Sequence, residues 1–320
     1  MVSRTVRLAG CALTLEVPDR LAARLRGRGA RAGDGAAGAT SNGTAALSKG
    51  DLVFRNPPAI APRQRDLSAA LAFLLLDEQP ITPTPGADPF TSILWYHTME
   101  FPDGRVTAGQ FDHRSLVPRY GLPSDMTGPT ALDEATFDGF WAFEMERRGA
   151  DVTAVDLDDW SDFDLPPRAG ALLSGRQLPP MGRGFALAHE ALGSSVRKQV
   201  RSVYELRPDD IGTFDLVHVG DLLLHLRRPL AALEAVRSVT RREALISDVV
   251  ELDLPGGRYG PATQYLGGWN DVVWWVPSLE ALTQMIVDAG FASVRVNAVY
   301  QLAKTAENEG FWRASITAVV

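Results

Sequence analysis

Short apolar runs and amphipathic segments alternate along the chain beyond about residue 129. The runs predict strands over 131–135, 151–157, 200–206, 214–220, 243–252, 293–300 and 311–320. Apolar residues at helical spacing predict helices over 140–150, 184–193, 228–240 and 278–291. In the last helix, Ser278 is the expected N-cap and Gly290 the expected end. This order of elements predicts an α/β fold with a mainly parallel sheet and helices on both faces.

The amino-terminal region follows a different pattern. Residues 26–50 are poor in large apolar side chains, so we expect residues 1–65 to be a flexible or loosely packed segment. A helix over 66–77 and a β-hairpin over 93–107 predict an α+β cap that extends over 66–128. The main domain then covers 129–320 and contains an irregular insertion at 253–277.

Composition narrows the function classes. The chain has 320 residues with 32 basic and 39 acidic side chains, a net charge of -7, which argues against a polyanion partner held by bulk charge. The single cysteine, Cys11, excludes an internal disulfide framework and a cysteine-rich zinc site, and no histidine spacing predicts a metal. No apolar run reaches the ~20 residues of a membrane span, and no convincing signal peptide is present. We therefore expect a cytoplasmic location.

The first strand-turn-helix unit has the features of a nucleotide site. In LDEATFDG, small residues (Ala135, Thr136 and Gly139) let the backbone approach a ligand at a helix N-terminus. Asp156 ends the next predicted strand about twenty residues later, where a carboxylate can bind a ribose diol. A dinucleotide site is the rival interpretation, although GxGxxG is absent.

These segments resemble class I S-adenosylmethionine (SAM)-dependent methyltransferases. LDEATFDG is similar to the family's first loop, VTAVDL to its second motif, and FDLVHVGDLLLHLRRPLAAL to its fourth-strand region. The closest resemblance, which includes the ending WWVPSLEALTQMIVDAGF, is to the subgroup around the bacterial wobble-uridine tRNA carboxymethyltransferase. The resemblance covers roughly 129–320 and implies a Rossmann-like, seven-stranded, mostly parallel sheet with SAM as cofactor and S-adenosyl-L-homocysteine (SAH) as product.

The resemblance also implies a set of cofactor-binding residues. They are Asp133 at the SAM amino group, Ala135, Thr136, Phe137 and Gly139 around the methionine part, Asp156 on the ribose, Leu157, Val203, Tyr204 and Glu205 at the adenine, and Gly220 with Asp221 under the sulfonium. Two residues depart from the family pattern. Ala135 replaces a glycine and fits if its φ is negative. Glu134 replaces an apolar residue, and if buried it needs a partner or a shifted pKa.

Methyl transfer requires an aligned and deprotonated acceptor, so a general base is useful. The candidate catalytic residues are His97, His225 and Asp221. His97 and His113 could close over the cofactor as a lid, with ordinary core or surface positions as the alternative. Tyr96 and His113 are the candidate substrate-binding residues of this region. His218, in the middle of a strand, is expected to be structural.

Three tryptophans mark the insertion. Trp269, Trp274 and Trp275 are candidate pocket residues for a flat organic substrate, and the alternative is that they cover the sheet edge. Because Trp274 and Trp275 are adjacent, at most one of this pair faces a pocket in extended chain.

Three functions remain open at this point. The first is a methyltransferase that modifies an O, N or C atom of a small molecule, a bacterial secondary metabolite. The second is a tRNA wobble-base (carboxy)methyltransferase, for which arginines such as Arg114, Arg147 and Arg241 are available. The third is a non-catalytic protein that retains the fold. A homodimer is compatible with all three.

Overall fold

The computed structural model describes residues 2–8, 11–17, 88–174, 178, 180–254, 260–268, 272–303 and 310–320. The chain divides into two units, Met1–Arg63 and Gln64–Val320. In the first unit, β1 (Val2–Leu8) pairs with β2 (Cys11–Val17) in an antiparallel ladder. The predicted linker at 26–50 and the predicted helix at 66–77 lie outside the described residues. No helix in the described ranges is long and apolar enough to cross a membrane.

The second unit contains a seven-stranded sheet. Its strands are β3 (Thr130–Glu134), β4 (Asp151–Asp156), β5 (Arg197–Val200), β6 (Phe214–Gly220), β7 (Thr240–Val249), β10 (Ser293–Ala303) and β11 (Gly310–Val319). The spatial order is β10-β11-β7-β6-β3-β4-β5. The five strands from β7 to β5 are parallel, and β11 runs antiparallel between β7 and β10. The predicted Rossmann-like, mostly parallel sheet is therefore confirmed.

Helices pack on both faces of this sheet. The helices among the described residues of this unit are α1 (Phe140–Arg147), α2 (Pro167–Leu173), α3 (Arg183–Leu192), α4 (Pro208–Ile211), α5 (Pro229–Val239) and α6 (Leu279–Asp288). Apolar residues of α5 and α6 share one core with the sheet, and those of α1 and α3 share the other. Ser278 caps α6 as expected, because its hydroxyl accepts a hydrogen bond from the Ala281 N–H.

Two predicted elements differ from the structure. The third strand was expected over 200–206, but β5 ends at Val200 and a 3₁₀ turn follows at Val203–Glu205. Edge strand β5 is short and polar, whereas Val203 and Leu206 bury their side chains from the turn, so the apolar signal marked the turn. The hairpin expected over 93–107 has its tight turn, but within these residues it forms only the isolated antiparallel bridge Glu100↔Val106. His97 bridges Phe111 in parallel, beyond the expected hairpin.

Two further segments of the second unit lie outside the seven-stranded sheet. A small antiparallel pair, β8 (Thr263–Tyr265) and β9 (Trp275–Pro277), lies in the insertion. Residues 95–126 contribute buried aromatic and methionine side chains to the same core as α1 and α3. The irregular segment before β3 is thus packed against the helical face of the sheet.

Candidate functional site

One cavity opens at the carboxyl ends of β3, β4 and β6, where the parallel strands deliver their last residues. Its volume is about 220 Å³. The predicted site residues on its wall are Tyr96, His97, His113, Asp133, Ala135, Thr136, Phe137, Asp156, Leu157, Val203, Tyr204, Gly220, Asp221 and His225. The structure therefore brings together most of the residues that the sequence singled out.

Three carboxyl groups at the ends of β3 and β4 form what we call the carboxylate cluster: Asp133, Glu134 and Asp156. Asp133 is buried and uses both oxygens within the protein. One oxygen lies 2.6 Å from His218 Nδ1, and the other accepts a 2.6 Å hydrogen bond from the Thr136 hydroxyl. The expected structural role of His218 agrees with this contact, because the imidazole fixes Asp133.

Asp156 shapes the loop after β3. Its Oδ2 accepts a 2.7 Å hydrogen bond from the Phe137 N–H, and its Oδ1 accepts one of 2.7 Å from the Leu157 N–H. Burial raises the pKa of Asp156 to about 6, against the lowering effect of these two N–H groups. Each carboxylate oxygen has a second lone pair, so the group can still accept hydroxyl donors.

The loop itself is strained. Ala135 and Phe137 have φ values of 58° and 50°, in the left-handed region that favours glycine. The condition that alanine fits with a negative φ is therefore not met, and Ala135 occupies the glycine conformation in spite of its methyl group. Residues with such strained backbone angles persist only where the surrounding structure holds them, and they are found most often at ligand-binding and active sites.

Glu134 differs from its two neighbours. It is 3% exposed, it lines the cavity, and its Oε2 has no hydrogen-bond partner within the described part of the chain. Burial, and then the charges of Asp156 and Asp133, raise its pKa well above the usual value, while Arg201 opposes them. The expectation of a partner or a shifted pKa is met by the shifted pKa.

Three other residues form what we call the histidine cluster: Tyr96, His97 and His113. His97 Nδ1 lies 2.5 Å from Asp138 Oδ1, and the same carboxylate accepts the backbone N–H groups of Tyr96 and His97 at 3.0 and 2.8 Å. A carboxylate only accepts, so the Nδ1 of His97 carries the proton and Nε2 is left as the acceptor. His97 stacks on Phe140 with ring centroids 4.9 Å apart, which fixes the imidazole plane.

His113 lies against His97, with ring centroids 4.8 Å apart. Its Nδ1 is buried and has no hydrogen-bond partner among the residues that the structure describes. Burial, and then the neighbouring His97, hold the pKa of His113 well below its usual value. The His113 imidazole is therefore neutral and places a polar atom among the aromatic rings of Phe111, Phe140 and Trp141.

A buried ion pair supports Tyr96. The Tyr96 hydroxyl donates a 2.7 Å hydrogen bond to Asp221 Oδ2, and Arg313 Nε donates to both Asp221 oxygens at 2.9 Å. Burial alone would raise the pKa of Asp221, but the Arg313 guanidinium outweighs burial and the pKa lies below its usual value. Asp221, predicted as catalytic, is thus already engaged by Tyr96 and Arg313.

The structure does not bring every predicted residue to the cavity. Gly139 is the N-cap of α1, and Glu205 is exposed at the end of the 3₁₀ turn. Trp274 donates its indole N–H to the Asp164 carbonyl at 2.5 Å, which anchors the insertion. Trp275 lines a different, largely apolar cavity, and Trp269 lies outside the described residues.

Several residues that line the cavity or hold its side chains in place were not predicted. Asp138, which orients His97, and Arg313, which holds Asp221, come from distant parts of the chain, so no local spacing signals either contact. Trp160 and Phe163, from the turn after β4, supply the cavity aromatics that were expected from the insertion. His225 is on the wall, with Nδ1 3.1 Å from the Val272 carbonyl. Within the described ranges no acidic, histidine or cysteine cluster could hold a metal ion.

One known protein is similar in sequence to part of the chain. No protein-family model matches the chain. Over 108 residues the chain is 32% identical to magnesium-protoporphyrin O-methyltransferase of Rhodobacter capsulatus, a match that covers 34% of this chain and 38% of that protein. The chain thus matches well under two thirds of the length of this curated relative.

Solved structures with a similar arrangement include three bound to SAM or SAH. The amino-terminal domain of EvdMO1 with SAH is 16% identical, covers 71% of this chain and 91% of that chain, and has a TM-score of 0.47. A 1,6-didemethyltoxoflavin-N1-methyltransferase of Burkholderia thailandensis is 18% identical over 65% and 73% of the two chains, with a TM-score of 0.41. Magnesium protoporphyrin IX methyltransferase of Synechocystis is 14% identical over 64% and 76%, also with a TM-score of 0.41.

Proposed function

We propose that the chain is a SAM-dependent methyltransferase that acts on a small organic molecule. The observation that carries this proposal is a single cavity that joins strand-end carboxylates to a buried histidine-aspartate pair. The R. capsulatus relative, a methyltransferase by name, supports the same class. The carboxylate cluster fits a nucleoside, and the histidine cluster fits a group that must lose a proton.

The residues present fit the cofactor. Asp156 would accept the ribose hydroxyls with its remaining lone pairs, while Leu157, Val203 and Tyr204 would border the adenine. The left-handed loop at Ala135 and Phe137 would hold the methionine part, and Gly220 would leave room beside it. When bound, SAM supplies an activated methyl group on a sulfonium.

His97 is the proposed general base. Asp138 holds the proton on Nδ1, so Nε2 is free to take a proton from the acceptor. His113 Nδ1, which is unpaired in the described structure, offers the acceptor a second hydrogen bond. Tyr96, fixed by Asp221, closes the wall beside them.

The acceptor is a compact molecule with a neutral O, N or C nucleophile. The wall is rich in aromatic side chains, among them Tyr96, Phe137, Trp141, Trp160 and Phe163, which suits a flat organic group. Carboxylates also line the wall and disfavour an anionic substrate. The proposed substrate class is a bacterial secondary metabolite that the protein meets in the cytoplasm. A flat member of this class that carries no negative charge agrees with this wall.

The tRNA alternative finds less support. Several arginines that would form a basic surface are paired with carboxylates: Arg114 with Asp112, Arg147 and Arg148 with Glu144, Arg227 with Asp164, and Arg241 with Asp215. Paired arginines contribute little net attraction to a phosphate backbone. A steep salt dependence of tRNA binding would revive this alternative.

Calorimetric titration with SAH tests the proposal. Wild-type protein should bind SAH, and Asp156→Ala should bind it about 100-fold more weakly, because two charge-assisted hydrogen bonds of about 1.5 kcal/mol each are lost. Asp151→Asn, at the opposite end of β4, is the matched control and should bind normally. If wild-type protein binds neither SAM nor SAH, the non-catalytic alternative replaces this proposal.

A further inference from the structure

Glu134 is the member of the carboxylate cluster whose hydrogen bonds are incomplete. Asp133 and Asp156 each use both oxygens on protein donors. Glu134 Oε2, in contrast, has no partner among the described residues, although the side chain is 3% exposed. A buried polar atom without a hydrogen bond is destabilising, and a bound ligand can supply the missing partner.

The position of Glu134 indicates which part of a ligand it meets. In the parallel ladder Glu134 is paired with Val155, the residue directly before Asp156. Glu134 therefore lies beside the carboxylate that the proposed function places on the ribose, and it lines the same cavity. Under the proposed function, Glu134 would therefore contact the nucleoside part of the cofactor and not the methyl acceptor.

The chemistry of the group indicates what it offers. Two carboxylates, Asp156 and Asp133, act on Glu134 in a buried site, and Arg201 is the opposing charge. This surrounding disfavours a third negative charge and keeps the carboxyl group neutral. A neutral carboxyl group has an O–H donor, which a carboxylate lacks.

We propose that Glu134 is a specificity-determining residue whose buried carboxyl group, unpaired at Oε2 among the described residues, donates a hydrogen bond to an acceptor atom of the cofactor's nucleoside. This inference rests on the proposed function. Sugar ring oxygens and unprotonated purine nitrogens are acceptors of this kind. An apolar side chain at this position has no hydrogen-bond donor, so the proposed contact is a property of this chain's own sequence.

Calorimetry with SAH and with adenosine tests the contact. Glu134→Gln keeps a neutral donor and should bind both probes within about threefold of wild type, whereas Glu134→Met removes the donor and should bind both about tenfold more weakly. The ligand-free Glu134→Met protein should melt no lower than wild type, because an unpaired buried oxygen is removed. Glu134→Leu repeats the deletion with another shape if the methionine variant does not fold.

The outcomes separate the two proposals. Wild-type affinity retained by Glu134→Met, or a loss for SAH without a loss for adenosine, overturns the role of Glu134 alone. A parallel fall in melting temperature and affinity in Glu134→Met assigns Glu134 a structural role instead. Failure of wild-type protein to bind SAH overturns the proposed function and this inference with it.

Discussion

The carboxylate cluster and the histidine cluster line one cavity but are built in different ways. The carboxylate cluster comes from the adjacent ends of β3 and β4, so the parallel pairing of neighbouring strands brings its three side chains together. In the histidine cluster, His97 is oriented by Asp138, 41 positions away, and Tyr96 is fixed by Asp221, 125 positions away. The fold thus brings the carboxylate cluster together through neighbouring strands, whereas the side chains of the histidine cluster are oriented by contacts between distant parts of the chain.

The largest expected effect concerns the histidine cluster. His97→Gln should lower kcat by about 100-fold to 10,000-fold, the usual range for a lost general base, with SAH affinity within about threefold of wild type. Rates of methyl transfer to an acceptor found by library screening, together with SAH titration, measure the two effects. His189→Gln, whose ring contacts the Val196 carbonyl and does not line the cavity, is the control.

His225→Gln is the discriminating companion of this experiment. His225 also lines the cavity, but its Nδ1 contacts a backbone carbonyl and no carboxylate. A larger fall in kcat for His225→Gln than for His97→Gln would transfer the role of base to His225. Equal losses of kcat and SAH affinity in His97→Gln would show that His97 is structural.

The buried ion pair that supports Tyr96 of the histidine cluster can be removed by mutation. Arg313→Met leaves Asp221 buried and unpaired by a cation, which should lower the free energy of unfolding by about 3–5 kcal/mol. Urea denaturation measures this loss. The double variant Arg313→Met/Asp221→Asn should recover part of it, because the uncompensated charge is gone. A single variant as stable as wild type would mean that the ion pair does not support this wall.

Sequence patterns predicted most strands and the strand-end position of Asp156, because each depends on a short stretch of the chain. Asp156 ends a strand at a readable distance from the loop, and Ser278 precedes a helix of regular period. Arg313 escaped prediction because it alternates with Ser315 and Thr317, a polar face that is normally exposed and is buried in β11. Asp138, directly before Gly139 and the first helix, resembles an N-terminal cap and gives no sign of His97.

The pH dependence of SAH affinity tests the carboxylate cluster. Because the pKa of Asp156 is about 6, ribose hydroxyls should meet a carboxylate above this pH and a neutral acid below it. Affinity should rise about tenfold between pH 5 and pH 7 and then level off. Titration at four pH values measures this. Asp133, Glu134 and Lys198 also face Asp156, so Asp156→Asn is the reference that carries their titration alone.

The stability of the free protein should change in the opposite direction. The pKa of Asp156 is higher in the folded than in the unfolded chain, so the folded state binds more protons between about pH 4 and pH 6. The contribution of this group to the free energy of unfolding therefore falls as pH rises through that window. An affinity profile identical in wild type and Asp156→Asn would remove Asp156 from the binding site.

The smallest expected effect concerns the strained loop beside the carboxylate cluster. An L-residue in the left-handed region costs about 1–2 kcal/mol, and glycine's greater freedom in the unfolded chain offsets part of this cost. Ala135→Gly should therefore raise the free energy of unfolding by about 0.5–1 kcal/mol in urea denaturation. Ala131→Gly, in β3 without a positive φ, should lower it by a similar amount. If both variants lose stability alike, the left-handed loop stores no strain.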